Sequence, residues 1–129
     1  METYPPAVLA LVHPKTSTGA GEPLEGVGDL CCEFNCLLLI NTVTSLGCVP
    51  IFLDNCGVDL AYSCSQKGLC CPPGASPFTI SVRAMDKLQR RQNKVANWYL
   101  DMNLLAKYWG SERVYHHTAP INLYYALRE

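Results

Sequence analysis

Cys36-Leu37-Leu38-Leu39-Ile40 is a continuous apolar run without polar alternation, the pattern of a strand buried on both faces of a parallel sheet. A second run, Ala7-Val8-Leu9-Ala10-Leu11-Val12-His13, reads as another fully buried strand, closed by the polar turn Thr16-Ser17-Thr18-Gly19. Between the two, Leu24, Val27, Leu30, Cys31 and Phe34 recur at steps of three and four residues. That periodicity predicts an amphipathic helix from Pro23 to about Asn35, with Pro23 in its first turn. Strand, helix and strand make the βαβ unit of an α/β sheet, whose crossover is right-handed.

Working outward, residues 49–53 read as a connection and residues 57–63 as a third strand that ends close to Lys67. Residues 78–82 read as a further strand, followed by a helix that begins near Ser81 and is closed by the basic residues 87–94. The charges of that run are read as a solvated face. Residues 119–129 place a proline at a helix start and then an apolar stripe. Nothing repeats and no linker divides the chain, so a single domain is expected.

Composition narrows the function classes. At 129 residues the chain suits one modest core, and 49% hydrophobic against 16% charged residues fits a buried sheet. A formal net charge of −1 gives no reason to expect nucleic acid or a membrane surface as partner. Residues 1–6 show neither the basic start nor the apolar centre of a signal peptide, so a soluble intracellular protein is expected. The eight cysteines raise the question of a disulfide or zinc module. They contain no Cys-x-x-Cys pair, several lie in apolar runs, and the adjacent His116 and His117 cannot easily face one metal, so no metal ligand is assigned.

The chemistry-bearing stretch is Leu60-Ala61-Tyr62-Ser63-Cys64-Ser65-Gln66-Lys67, in which a short apolar run delivers a lysine onto a turn of small polar residues. A lysine held there and partly shielded from water can lose its proton and act as a nucleophile or Schiff-base former. Ser65 and Gln66 offer hydrogen bonds beside the amine, and Cys71-Pro72-Pro73-Gly74 turns the chain sharply. His13, closing the first strand, is read as a structural hydrogen-bond partner.

Ser17-Thr18-Gly19, Ser45-Leu46-Gly47, Ser65-Gln66-Lys67, Pro72-Pro73-Gly74 and Tyr115-His116-His117-Thr118 follow one another from about Val8 to the last residue. In this order and spacing the chain resembles the alanine-glyoxylate and serine-pyruvate aminotransferases, including the insect hydroxykynurenine transaminases. These are class V, fold-type I pyridoxal phosphate enzymes. The resemblance implies an α/β fold, a partial three-layer α/β/α arrangement with a mostly parallel sheet. It also implies that the strand at residues 78–82 runs antiparallel to the rest. Residues 1–129 would then be a single truncated large-domain segment, with the N-terminal part and the C-terminal small domain absent. Among the missing parts are a phosphate cup, a tryptophan that stacks on the cofactor and an arginine that grips the substrate carboxylate.

Carried over by resemblance, Lys67 forms the Schiff base with pyridoxal 5'-phosphate and shuttles the substrate proton. Thr16, Asn41, Val43, Gln66, Tyr115 and Thr118 complete the cofactor site: Gln66 near the phosphate, Val43 on the ring face, Tyr115 and Thr118 reaching across a dimer interface. Alanine or serine is the implied donor and glyoxylate or pyruvate the acceptor. A homodimer, or pairing with a full-length relative, is the implied assembly, and a peroxisome or mitochondrion the implied compartment, with no targeting signal seen in this chain. Four departures stand out. Asn41 replaces an aspartate that pairs with the protonated ring nitrogen, Cys64 replaces a glycine, Thr16 replaces a serine, and the segment between Trp109 and Tyr115 is shortened. They point to an impaired aminotransferase, or to a non-catalytic remnant that binds the cofactor weakly or pairs with a full-length relative. Cys64, in a glycine's place, is expected to shift the lysine or crowd the phosphate.

Overall fold

The computed structural model describes residue 4 and residues 6–129. The signal-peptide reading rests largely on residues 1–3 and 5, which lie outside the described residues. A four-stranded sheet runs in the order β1 (Val8–Val12), β4 (Leu37–Asn41), β5 (Leu60–Tyr62), β6 (Phe78–Ile80). The first three strands are parallel and β6 is antiparallel to β5, as the resemblance implied. A small hairpin of β2 (Pro14–Lys15) and β3 (Ala20–Gly21) follows β1 directly.

Central β4, paired on both sides, is the most deeply buried strand, with Leu38 and Ile40 at 0% exposure. Leu24, Cys31, Cys36, Val58 and Ala61 pack with them into the core. The expectation of a fully buried first strand needs correction. β1 stands at the sheet edge, where Leu9 and Leu11 pack on the core while Val8, Ala10 and Val12 are exposed.

Helix α1 (Val27–Glu33) is shorter than its periodicity predicted. Gly26 adopts φ 77 and starts the helix, so Leu24 enters the core from a turn and Pro23 lies outside the first helical turn. Gly28 faces the chain at Cys56, where an added Cβ would sit 2.1 Å from the Cys56 carbonyl oxygen. Backbone contact of that kind seats α1 beside the core and leaves no room for a side chain.

Helix α2 (Val82–Gln89) is capped by Ser81, whose hydroxyl accepts from Ala84 N–H at 3.0 Å. The helix stops before most of the basic run, and Lys87 Nζ donates to the Asn35 carbonyl, so this run is not wholly a solvated face. Beneath α2 lies an ion pair that the sequence reading missed. Asp59, 3% exposed, accepts from Leu38 N–H at 2.9 Å, Ser81 Oγ at 2.8 Å and Arg83 Nε at 3.0 Å, with Arg83 Nη2 on its second oxygen. Burial raises the Asp59 carboxyl pKa, but the hydrogen bonds from Arg83, Leu38 and Ser81 outweigh it and hold the carboxyl below its ordinary value. Arg83 also donates to the Cys36 carbonyl at 2.9 Å, tying α2 to the start of β4.

A short 3₁₀ turn at Trp98–Leu100 leads into α3 (Met102–Trp109), and α4 (Ile121–Arg128) starts after Pro120 as expected. All eight cysteines are free. Among the described residues no group of three or more His, Cys, Asp or Glu could hold a metal, and no helix is long and apolar enough to cross a membrane.

Candidate active site

Parallel strands β1, β4 and β5 deliver their carboxyl ends to one edge of the sheet, the edge where ligands bind in open α/β sheets. A cavity of about 280 Å³ opens there, lined by Val12, Pro14, Lys15, Thr16, Ser17, Asn41, Val43 and Thr44. Three residues singled out from the sequence, Thr16, Asn41 and Val43, therefore meet in one place. Asn41 ends β4 half-buried, and its Oδ1 accepts from Val43 N–H at 2.9 Å. Its main-chain carbonyl accepts from His13 N–H at 3.1 Å, which ties β1 to β4 just below the cavity. The expectation of His13 as a structural hydrogen-bond partner is met by its main chain, while its buried Nδ1 has no partner among the described residues. Lys15, Ser17 and Thr44 complete the lining, with Thr44 Oγ1 donating to the Pro14 carbonyl at 3.0 Å. A cluster of hydroxyl residues just past a strand end was the sequence signal for Thr44.

Lys67 lies on the loop that follows β5, exposed and outside the cavity lining, with Gln66 exposed beside it. The loop is fixed from within by Ser65. This residue, 0% exposed, donates its hydroxyl to the Pro72 carbonyl at 2.6 Å, and that hydroxyl accepts from Ala75 N–H at 3.3 Å. Its backbone N–H donates to the Ala75 carbonyl at 3.0 Å and its carbonyl accepts from Cys71 N–H at 2.9 Å. Ser65 is thus the staple of the loop and not, as expected, a hydrogen-bonding group beside the amine.

This loop packs on the turn after β4 through glycines. A Cβ at Gly68 would lie 2.2 Å from the Leu46 carbonyl oxygen and 2.7 Å from Cys48 Sγ, and one at Gly47 2.7 Å from the Gly68 carbonyl oxygen. Ser63 Oγ donates to the Thr42 carbonyl at 3.1 Å and adds a second tie. Lys67 is thereby held on the same sheet edge as the cavity. Cys64 is half-buried and does not take a left-handed backbone, whereas Cys70 on the same loop does, with φ 54.

Tyr115 and Thr118 do not join the cavity. Both are exposed and bonded to each other, Tyr115 Oη to Thr118 Oγ1 at 3.0 Å. They border a cluster of rings in which His116, 3% exposed, stacks on Trp98 at 4.1 Å between centroids. His116 Nε2 lies 3.2 Å from the Trp98 carbonyl, which can only accept, so Nε2 carries the hydrogen. In the neutral ring Nδ1 is then the acceptor, and His117 Nδ1–H donates to it at 2.9 Å. This arrangement uses the histidine pair to hold the fold of the ring cluster. Tyr124, whose ring meets Trp109 edge-on, has its hydroxyl pKa raised by burial and then by Tyr108 and Tyr99. Helix α4 reaches the lysine loop from this side: Cys71 Sγ donates to the Ala126 carbonyl at 3.5 Å, and Leu123 packs over Gly74.

The family profile "Aminotransferase class-V" matches residues 3–128. Alanine–glyoxylate aminotransferase of Mus musculus is 46% identical over 98% of this chain and 31% of its own length. The crystal structure of alanine–glyoxylate aminotransferase from Nostoc sp. superposes with a TM-score of 0.91 at 81% identity, covering 95% of this chain and 32% of that one. The structure of ureidoglycine-glyoxylate aminotransferase from Bacillus subtilis gives 0.90 at 33% identity, with 95% and 32% covered. The chain spans about a third of the length of these relatives.

Proposed function

The chain belongs to the class-V aminotransferase family, a lineage of pyridoxal phosphate-dependent transaminases, and from that premise we propose that its sheet edge is a cofactor site with Lys67 as the reacting amine. The observation that carries the proposal is the convergence of Thr16, Asn41 and Val43 on one cavity, with the Lys67 loop fixed on the same edge by the Gly47–Gly68 contact.

The lining residues fit one part of the cofactor. Val12 and Val43 give an apolar wall for a flat ring, and Thr16 and Ser17 bring hydroxyls to its rim. At about 280 Å³ the cavity lies just under the roughly 300 Å³ at which ligand pockets begin, enough for a ring with its tail directed outward. When bound, the cofactor supplies an aldehyde and an electron-withdrawing ring. Lys67 would hold the aldehyde, and its free amine would carry the proton at the substrate carbon. Gln66, adjacent on the exposed loop, would meet the phosphate, and Thr16 would offer its hydroxyl from the cavity lining. Tyr115 and Thr118, paired on the surface away from the cavity, suit contact with the cofactor of a second copy in a homodimer.

Amino acids and 2-oxo acids are the family's substrates, and alanine or serine with glyoxylate or pyruvate is the pair proposed for this chain. A peroxisomal or mitochondrial setting belongs to the same proposal. Incubated with pyridoxal phosphate, alanine and glyoxylate, the chain should form pyruvate and glycine, and Lys67→Ala should abolish this. Turnover that survives Lys67→Ala would remove the lysine from the mechanism. A second reading, that the chain binds cofactor without turnover or pairs with a full-length relative, is favoured by the neutral Asn41 and by a cavity lining that, among the described residues, includes no carboxylate.

A further inference from the structure

Resting on the reading that the cavity takes the cofactor ring, we infer that Asn41 is a hydrogen-bond donor to the ring nitrogen and keeps it in the unprotonated pyridine form. The inference follows from which end of the carboxamide is already used. Asn41 Oδ1 accepts from Val43 N–H at 2.9 Å. Turning the amide over would set its NH₂ against that N–H, donor against donor, so the oxygen is held inward and Nδ2 is left for the cavity. Nδ2 has no hydrogen-bond partner among the described residues and can only donate. A pyridine nitrogen accepts such a bond, whereas a pyridinium N–H would meet a second donor.

The surroundings push in the same direction. Among the described residues the one charged member of the lining is Lys15, on the β2 strand that forms one wall, and no aspartate or glutamate joins it. An aspartate in place of Asn41 would keep one oxygen on Val43 N–H and turn the other, charged, to the cavity. The single change Asn41→Asp therefore converts the site from donor to anionic acceptor with almost no change of shape.

The test uses the full chain and pyridoxine 5'-phosphate labelled with ¹⁵N in the ring. This probe has no aldehyde, so its binding does not depend on Lys67. In the native chain the ¹⁵N resonance should stay at the unprotonated position through neutral pH, and its midpoint should lie below that of the free probe. In Asn41→Asp the midpoint should rise by at least about one pH unit, a tenfold change in the protonated ratio, and the Asn41 amide resonances of the native chain should move on binding. A protonated ring nitrogen in the native chain at neutral pH, or Asn41 resonances that do not move, would overturn the inference. Should Asn41→Asp fail to fold, the native chain against the free probe decides alone. Retention of pyridoxal phosphate on Lys67 with a protonated nitrogen removes this inference only; the expected ¹⁵N behaviour without bonding to Lys67 removes the proposed function only.

Discussion

Residues 8–89 bury a contiguous core around Leu38 and Ile40 and close it with the Asp59–Arg83 ion pair, whereas residues 90–129 bury only His116 and Leu123 among the described residues. The first region is held by strand pairing and by hydrogen bonds to buried groups; the second is held by ring contacts and by its seat on the lysine loop. The candidate site divides along the same line. Thr16, Asn41 and Val43 stand at strand ends that the core fixes, while Tyr115 and Thr118 lie on a surface that only stacked rings support. A site built on strand ends keeps its geometry through small perturbations, and one built on stacked rings depends on what it packs against.

The strongest way to break this contrast is to remove the ion pair. Arg83→Met leaves the Asp59 carboxylate buried without its counter-charge and should lower stability by about 3–5 kcal/mol, read by urea unfolding. Because the folded Asp59 pKa lies below its ordinary value of 3.8, its contribution is present above that value and lost as the pH falls through the lower, folded one. The gap between native chain and variant should therefore narrow as the pH falls below 3.8 toward the lower, folded pKa, and stop changing once the carboxyl is protonated in the folded native chain as well. A gap independent of pH would mean that Arg83 acts by packing alone.

Gly68→Ala sharpens the contrast at the junction between the lysine loop and the turn after β4. The added methyl meets Leu46 and Cys48 and should cost about 1–3 kcal/mol, with a matching drop in cofactor retention at Lys67. Trp98→Ala removes the stack on His116 and should cost only about 0.5–1.5 kcal/mol. Its near-ultraviolet dichroism should fall while amide exchange of β4 stays unchanged; loss of protection in β4 would join the two regions into one unit. Smallest is Tyr115→Phe, which removes an exposed hydrogen bond and should alter stability by less than about 0.5 kcal/mol.

What the sequence made legible follows from the same physics. β4 and β5 could be read because apolar runs flanked by turn residues have few other solutions, and β6 was placed antiparallel by resemblance. Burial of β1 was overstated because an apolar run does not reveal that it lies at an edge. The start of α1 was misplaced because periodicity ignores the left-handed turn at Gly26. Asp59 and Arg83 are 24 residues apart and meet only through the sheet and α2, so no local pattern marks them. At the site, resemblance selected Thr16, Asn41 and Val43, which the strand ends bring together. The inward turn of Ser65 and the position of Lys15 depend on loop packing that spacing does not encode.

Lys67 as the residue that holds the cofactor is tested most directly by borohydride reduction of the full chain with pyridoxal phosphate, followed by peptide mapping. Label concentrated on Lys67, and reduced by Gly68→Ala, is the predicted result. Label scattered over Lys15, Lys87, Lys94 and Lys107 as well, in proportion to their exposure, would contradict it.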